Sequence, residues 1–174
     1  MTWTELLKAQ AEAAYRSAEG LIGFVKDEDL NWKPTTGENW MTTGQLLHHM
    51  ADACGAPCKG FVTGDWGMPE GFDPSELSPE EMLPPAETLP TIESVAEARR
   101  LLAEDKAVAL RMIEQSGEDD LANRTVSAPW DPREEALGRQ LLQMVGHLEG
   151  HKAQLFYYLK LQGHPVNTGH LWSG

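Results

Sequence analysis

The sequence has little positive charge. Its 174 residues include 14 Lys and Arg against 27 Asp and Glu, which gives a formal net charge of −13 at pH 7. Proteins bind nucleic acids and anionic membrane surfaces mainly through clustered Lys and Arg side chains, and the sequence contains no basic stripe. We therefore expect no nucleic acid and no membrane among its partners.

Cysteines and long apolar runs are also scarce. Cys54 and Cys58 are too few for a disulfide framework, and we expect both to be reduced and packed as small apolar side chains. A thiol ligand or a redox pair is the alternative. No run approaches the ~18 apolar residues of a membrane span, and the first residues lack the basic start and apolar core of a signal peptide. These absences predict a cytoplasmic protein.

Several catalytic sequence motifs are missing. There is no Gly-x-Ser-x-Gly, no Walker A and no Gly-x-Gly-x-x-Gly sequence, which argues against serine hydrolases, NTPases and dinucleotide-binding enzymes. His-Glu-x-x-His is absent, and no histidine follows a glutamate at the Glu-x-x-His spacing of di-iron bundles. A metal site in this chain must therefore use another ligand pattern.

Helical periodicity dominates what is present. Apolar residues recur at alternating steps of three and four in four segments, which predict helices from Thr4 to about Val25, from Thr42 or Thr43 to about Ala56, from Ser94 to Gly117, and from about Arg133 to Gln162. We expect a loop from Glu118 to Pro132, with residues 125–130 extended. The length suits a single domain over residues 1–174. The predicted fold is all-α, a four-helix bundle with a long crossover between helices two and three.

The crossover covers residues 64–90. Seven of the eleven prolines fall between Pro57 and Pro90, and residues 65–81 are acidic with no Lys or Arg. Only a short turn at residues 78–82 is expected within it. Loops of this length in compact domains are usually functional or disordered. Four large apolar side chains predict that this one packs back onto the body and could wall a pocket: Trp66, Met68, Phe72 and Met82.

Three of the six histidines are candidate metal ligands. His147 and His151 are four residues apart on the fourth predicted helix, so they lie on one face at the flank of its apolar stripe. On the second helix His49 lies at the edge of the apolar side, and the adjacent His48 points away from it. His164 and His170 are in the C-terminal tail and are expected to be solvated.

Bundles build metal sites from side chains on facing helices. Neutral imidazoles suit zinc, nickel, copper or iron, and three protein ligands leave a position for water or substrate, as in catalytic sites. We therefore predict a divalent-metal-dependent enzyme with His49, His147 and His151 as ligands. Gln154 and Asp52, each three residues beyond a ligand, could orient the histidines. Asp52 is also the least poor candidate for a general base.

The sequence resembles the DinB-like (DinB/YfiT) superfamily of metal-dependent enzymes. The resemblance lies in Leu30-Asn-Trp-Lys-Pro34, in the segment from Trp40 to Ala51, and in His147-x-x-x-His151 followed by Gln154. It implies a bundle with a long crossover, a divalent metal that is often nickel or zinc, and frequent homodimers. Characterised relatives include transferases and isomerases that use low-molecular-weight thiols. The Pro-rich acidic crossover and the extra His48 depart from the family pattern, so the substrate class and the choice between His48 and His49 stay open.

Two kinds of function therefore remain. The first is a metal-dependent transferase or hydrolase acting on a small molecule. The second is a non-catalytic metal-binding or stress-related bundle in which the histidines are structural. Metal storage or sensing is a weaker third option, because one three-ligand site per chain would be inefficient.

Overall fold

The computed structural model describes residues 1–68 and 84–173. The regular secondary structure of the described residues is helical apart from one two-stranded antiparallel hairpin, which confirms the predicted all-α class. The elements are α1 (Trp3–Ile22), α2 (Thr43–Met50), α3 (Gly55–Thr63), α4 (Val95–Gln115), α5 (Glu118–Asn123), β1 (Thr125–Ala128), β2 (Asp131–Ala136), α6 (Leu137–Leu161) and α7 (Thr168–Ser173), with 3-10 turns at Asp27–Asp29 and Ala86–Thr88.

Three long helices and one split helix form the bundle. Helix α1 packs against α4 and α6, while α2 and α3 in succession contact the same two helices. The predicted apolar stripe of α6 is entirely buried in the shared core: Leu137, Leu141, Met144, Leu148, Leu155 and Leu159. That the whole chain is one domain remains a prediction.

The predicted second helix is interrupted. It was expected to run to about Ala56, but α2 ends at Met50 and α3 begins at Gly55. The reason is a cap supplied from α4, where the Asp105 carboxylate accepts hydrogen bonds from the backbone N–H of Gly55 and of Ala56, both at 2.9 Å. Pro57 does not end a helix but lies in the first turn of α3, where its missing N–H leaves no donor unpaired.

Asp105 is the centre of a buried polar cluster. The Tyr15 hydroxyl donates to its carboxylate at 2.6 Å, and both residues are almost fully buried. Burial raises the pKa of Asp105, although its three hydrogen bonds favour the charged form. A Cβ atom at Gly55 would lie 2.1 Å from the backbone oxygen of Asp105, so only glycine fits there. Cys54 beside it, like Cys58, is buried and free, as predicted.

The predicted loop at Glu118–Pro132 is wrong in detail. It contains α5 and β1, and the fourth long helix begins at Leu137 because residues 133–136 belong to β2. Thr125 pairs with Ala136 and Ala128 with Asp131, with an irregularity between them. The side chains of β2 are largely charged and show no apolar alternation, so periodicity does not predict this strand. Its backbone pairing with β1 defines it. Pro129 and Trp130 form the connecting turn.

Only the ends of the crossover lie within the described residues. Its start follows Gly64, which ends α3 in the left-handed conformation at φ 78°, and Trp66 packs against the core. Met68 is exposed. Phe72, Met82 and the turn predicted at residues 78–82 lie outside the described residues, so the crossover as a whole stays a prediction.

The tail histidines are not solvated as expected. The His164 Nε2 atom lies 3.2 Å from an Asp29 carboxylate oxygen, and its side chain is 13% exposed. The His170 ring packs edge-on against Phe24 at a centroid distance of 4.8 Å. Both contacts join distant segments, which is why local sequence did not reveal them. Within the described ranges, no helix combines the length and apolar character needed to cross a membrane.

Candidate metal centre

His49, His147 and His151 converge where α2 faces the middle of α6. The Nε2 atom of His147 lies 3.3 Å from that of His49 and 3.0 Å from that of His151. The rings of His49 and His151 are nearly perpendicular, with centroids 4.4 Å apart. The three residues form a group that could hold a metal ion.

The N-terminus of α2 is fixed by the Leu30-to-Pro34 segment. The Trp32 carbonyl accepts from the Thr43 N–H at 2.8 Å, and the Leu30 carbonyl accepts from the Gly44 N–H at 2.8 Å. A Cβ at Gly44 would lie 2.5 Å from Thr91 Oγ1 and 3.2 Å from the Leu30 carbonyl oxygen, so a larger residue would push Thr91 aside and crowd this approach. Because the helix start is held in this way, the rotation of α2 places His49 toward α6.

A backbone carbonyl fixes the tautomer of His147. Its Nδ1 atom lies 3.1 Å from the carbonyl oxygen of Ala53, which is in the break between α2 and α3. A carbonyl oxygen can only accept, so Nδ1 carries the hydrogen and Nε2 presents a lone pair.

A chain of hydrogen bonds fixes the tautomer of His151. The Met41 carbonyl must accept from the Tyr158 hydroxyl, which in turn accepts from Nε2 of Gln154. The Oε1 atom of Gln154 therefore faces His151 and accepts from its Nδ1 at 3.1 Å. His151 is left with a lone pair on Nε2, as metal-binding histidines require.

Burial keeps these histidines neutral. It is the main cause that lowers the pKa of His49, to about 4, with repulsion from the other histidines adding to it. Burial also lowers the pKa of His147 and of His151, although their hydrogen bonds to Ala53 and Gln154 oppose the shift. At neutral pH all three rings are therefore available as ligands.

The three ligand nitrogens lie within 4.8 Å of one another, and the two pairs that include His147 have the spacing of a divalent cation site. Zinc–nitrogen bonds of about 2.0–2.1 Å in a tetrahedral site separate neighbouring nitrogens by about 3.4 Å, close to the 3.3 and 3.0 Å found here. The fixed tautomers of His147 and His151 aim two lone pairs at one another, an unfavourable arrangement that a shared cation would relieve.

A cavity of about 940 Å³ adjoins the cluster. It is lined by His49, Asp52, Pro57, Trp130, Gln143, Met144, Gly146 and His147. The Asp52 side chain reaches solvent, and packing around its carboxylate raises its pKa, an effect that His48 and His147 oppose. Within the described part of the chain, Asp52 makes no side-chain hydrogen bond to the three histidines, so its predicted orienting role stays a prediction.

Some residues around the site had no role assigned from sequence. Tyr158, which the helical spacing places beside the histidines, continues the hydrogen-bond chain, and Trp32 packs edge-on against it at 5.2 Å. Trp130 and Gln143 line the cavity. Two signals for these residues were visible in the sequence: the family-like segment around Trp32, and the position of Tyr158 four residues after Gln154. The place of Trp130 at the cavity depends on the β1–β2 hairpin, which the sequence did not predict. His48 is half-buried and is not part of the cluster.

A family model described as the DinB superfamily matches residues 10–155, most of the chain. The chain belongs to the DinB superfamily. The matched range of this DinB-superfamily chain contains all three histidines and Gln154. No curated protein matches the chain.

Proposed function

We propose that this protein is a divalent-metal-dependent enzyme with His49, His147 and His151 as its metal ligands. The observation that carries the proposal is the approach of three Nε2 atoms from two separate helices, two of them held as lone-pair donors by hydrogen bonds at Nδ1. Nickel or zinc fits the all-imidazole donor set. The family resemblance supports the same metals.

Three protein ligands favour catalysis over a purely structural role. They leave a coordination position for water or substrate, and the adjoining cavity borders His49 and His147. A bound divalent ion supplies Lewis acidity and favours thiolate over thiol. The proposed reactions are transfer or hydrolysis on a small-molecule substrate, with a low-molecular-weight thiol as the candidate cosubstrate. A cytoplasmic homodimer is the proposed setting.

Asp52 is the proposed proton acceptor. Its carboxylate lies on the cavity wall near the histidines, and its raised pKa makes it a better base than an ordinary aspartate. Glu149 is a poorer candidate because it pairs with the buried Lys152.

Elemental analysis tests the proposal directly. Protein purified without chelator should carry about one divalent ion per chain, and chelation should abolish thiol conjugation to electrophilic substrates in a screen. His48→Ala is the matched control and should keep the metal. A folded, metal-free protein that binds no added nickel or zinc would refute the proposal. Metal that stabilises the fold without any activity would instead favour the non-catalytic bundle.

A further inference from the structure

The cavity beside the histidines has one apolar wall. Pro57, Trp130 and Met144 contribute this wall, and Gly146 leaves open space next to His147 because nothing lies within 4 Å of its missing Cβ. Trp130 is 44% exposed, so a large part of an indole ring faces solvent. Exposed aromatic surface in a cavity is typical of ligand-binding sites.

Trp130 is held by other aromatic rings. It packs edge-on against Trp66 at a centroid distance of 5.3 Å and against Phe61 at 6.4 Å. Trp66 in turn lies so close to α3 that a Cβ at Gly60 would be 2.2 Å from its ring. The indole wall is therefore set by packing, and a ligand would not need to order it.

We propose that this cavity selects ligands that join a metal-binding head to a flat aromatic group, and that Trp130 is the residue that selects them. The inference rests on the proposed metal site and specifies its substrate class. The head would reach a metal held by His49, His147 and His151, and the ring would lie along Trp130 and Met144, which line the same cavity. Aromatic pairs contribute stabilisation beyond the apolar area that they bury.

Hydroxamic acids provide the probes, because their heads are the same and their bodies differ. The protein is loaded with cobalt(II), and binding of acetohydroxamic and benzohydroxamic acid is followed by visible absorption. We expect benzohydroxamic acid to bind at least about tenfold more tightly, since its ring replaces a methyl group. Trp130→Ala should reduce this preference to about threefold or less.

Two further variants separate selection from folding. Trp130→Phe keeps an aromatic face and should retain most of the preference. Trp172→Ala removes an exposed tryptophan of α7 that does not line the cavity, and it should leave the preference unchanged. Circular dichroism and the cobalt absorption of each variant establish that its fold and metal site are intact.

The outcomes distinguish the two proposals. If cobalt binds but both acids bind equally, or if intact Trp130→Ala keeps the full preference, the inference is wrong and the metal site stands. If wild-type protein binds no cobalt, the proposed function fails and the inference fails with it. A preference that depends on Trp130 alone supports the inference.

Discussion

Two polar clusters flank the break between α2 and α3, and they differ in how their polar atoms are paired. Around Asp105, the carboxylate is matched by the Tyr15 hydroxyl and two backbone N–H groups, and the cluster is deeply buried. Around His147, the Nδ1 atoms of His147 and His151 are paired, but the Nε2 atoms of the three histidines approach one another beside a cavity. A cluster whose polar atoms are all paired with one another stabilises the fold, whereas one that directs nitrogen lone pairs at a common point can bind a cation.

The largest expected effect is on the histidine cluster. His151→Ala should lower metal affinity by more than the ~100-fold seen when only a supporting residue is lost, because it removes a ligand. The fold should persist, since the core does not depend on this ring. Isothermal titration with zinc or nickel measures the effect, and His48→Ala should bind like wild type. Unchanged metal affinity in His151→Ala would show that the histidine cluster, like the Asp105 cluster, is structural.

The next effect should fall mainly on the stability of the fold. Asp105→Ala leaves the Tyr15 hydroxyl and the N–H groups of Gly55 and Ala56 without their acceptor, so we expect the free energy of unfolding to fall by about 3 kcal/mol. Urea denaturation measures it. Glu104→Ala is the control, because its exposed pair with Arg100 should contribute below about 0.5 kcal/mol. Metal affinity should not change in Glu104→Ala.

A smaller effect should come from the support of His151. Gln154→Leu removes the acceptor that holds Nδ1 protonated, so the tautomer and orientation of the ring are no longer fixed. We expect metal affinity to fall about tenfold, measured by competition with a chromogenic chelator. Gln162→Leu is the matched control. Gln162 lies at the end of the same helix and bonds the Tyr158 carbonyl oxygen and not a histidine, so this variant should keep the wild-type metal affinity. A Gln154 variant with wild-type affinity would show that the hydrogen bond does not tune the site.

The smallest effect is the pH dependence of the metal-free protein. The folded pKa of His49 is lowered to about 4, and those of His147 and His151 are also lowered. As the pH falls through the unfolded value of about 6.5, the unfolded chain binds protons first, so stability should decrease with acidity. His49→Ala should lose less stability between about pH 7.5 and pH 5, by about 1 kcal/mol because solvent screens the site. If the free energy of unfolding of chelator-treated wild type and His49→Ala changed equally with pH, the prediction would be wrong.

Local sequence was sufficient for the long helices and for the grouping of the histidines. The apolar stripe of α6 and the spacing of His147 and His151 are both helical properties, so they follow from periodicity. The inward position of His49 followed in the same way from the apolar side of its helix. The structure brings these residues together as expected.

What the sequence did not reveal depends on contacts between distant segments. The end of α2 is set by Asp105 from another helix, and the charged strand β2 exists because β1 pairs with it. The same holds for His164, which a partner in the Asp27–Asp29 turn holds away from solvent. None of these partners is encoded near the residue that it fixes, so periodicity and turn chemistry could not find them.

The gap between α2 and α3 has a consequence for the metal centre. Ala53 lies in this gap, outside both helices, and its carbonyl oxygen holds the ring of His147. In an uninterrupted helix a carbonyl oxygen accepts the N–H four residues later, and position 57, four residues after Ala53, is a proline without an N–H. The loss of helix continuity thus turns a main-chain oxygen toward an imidazole ring, and a defect in the regular backbone becomes part of the support of a ligand.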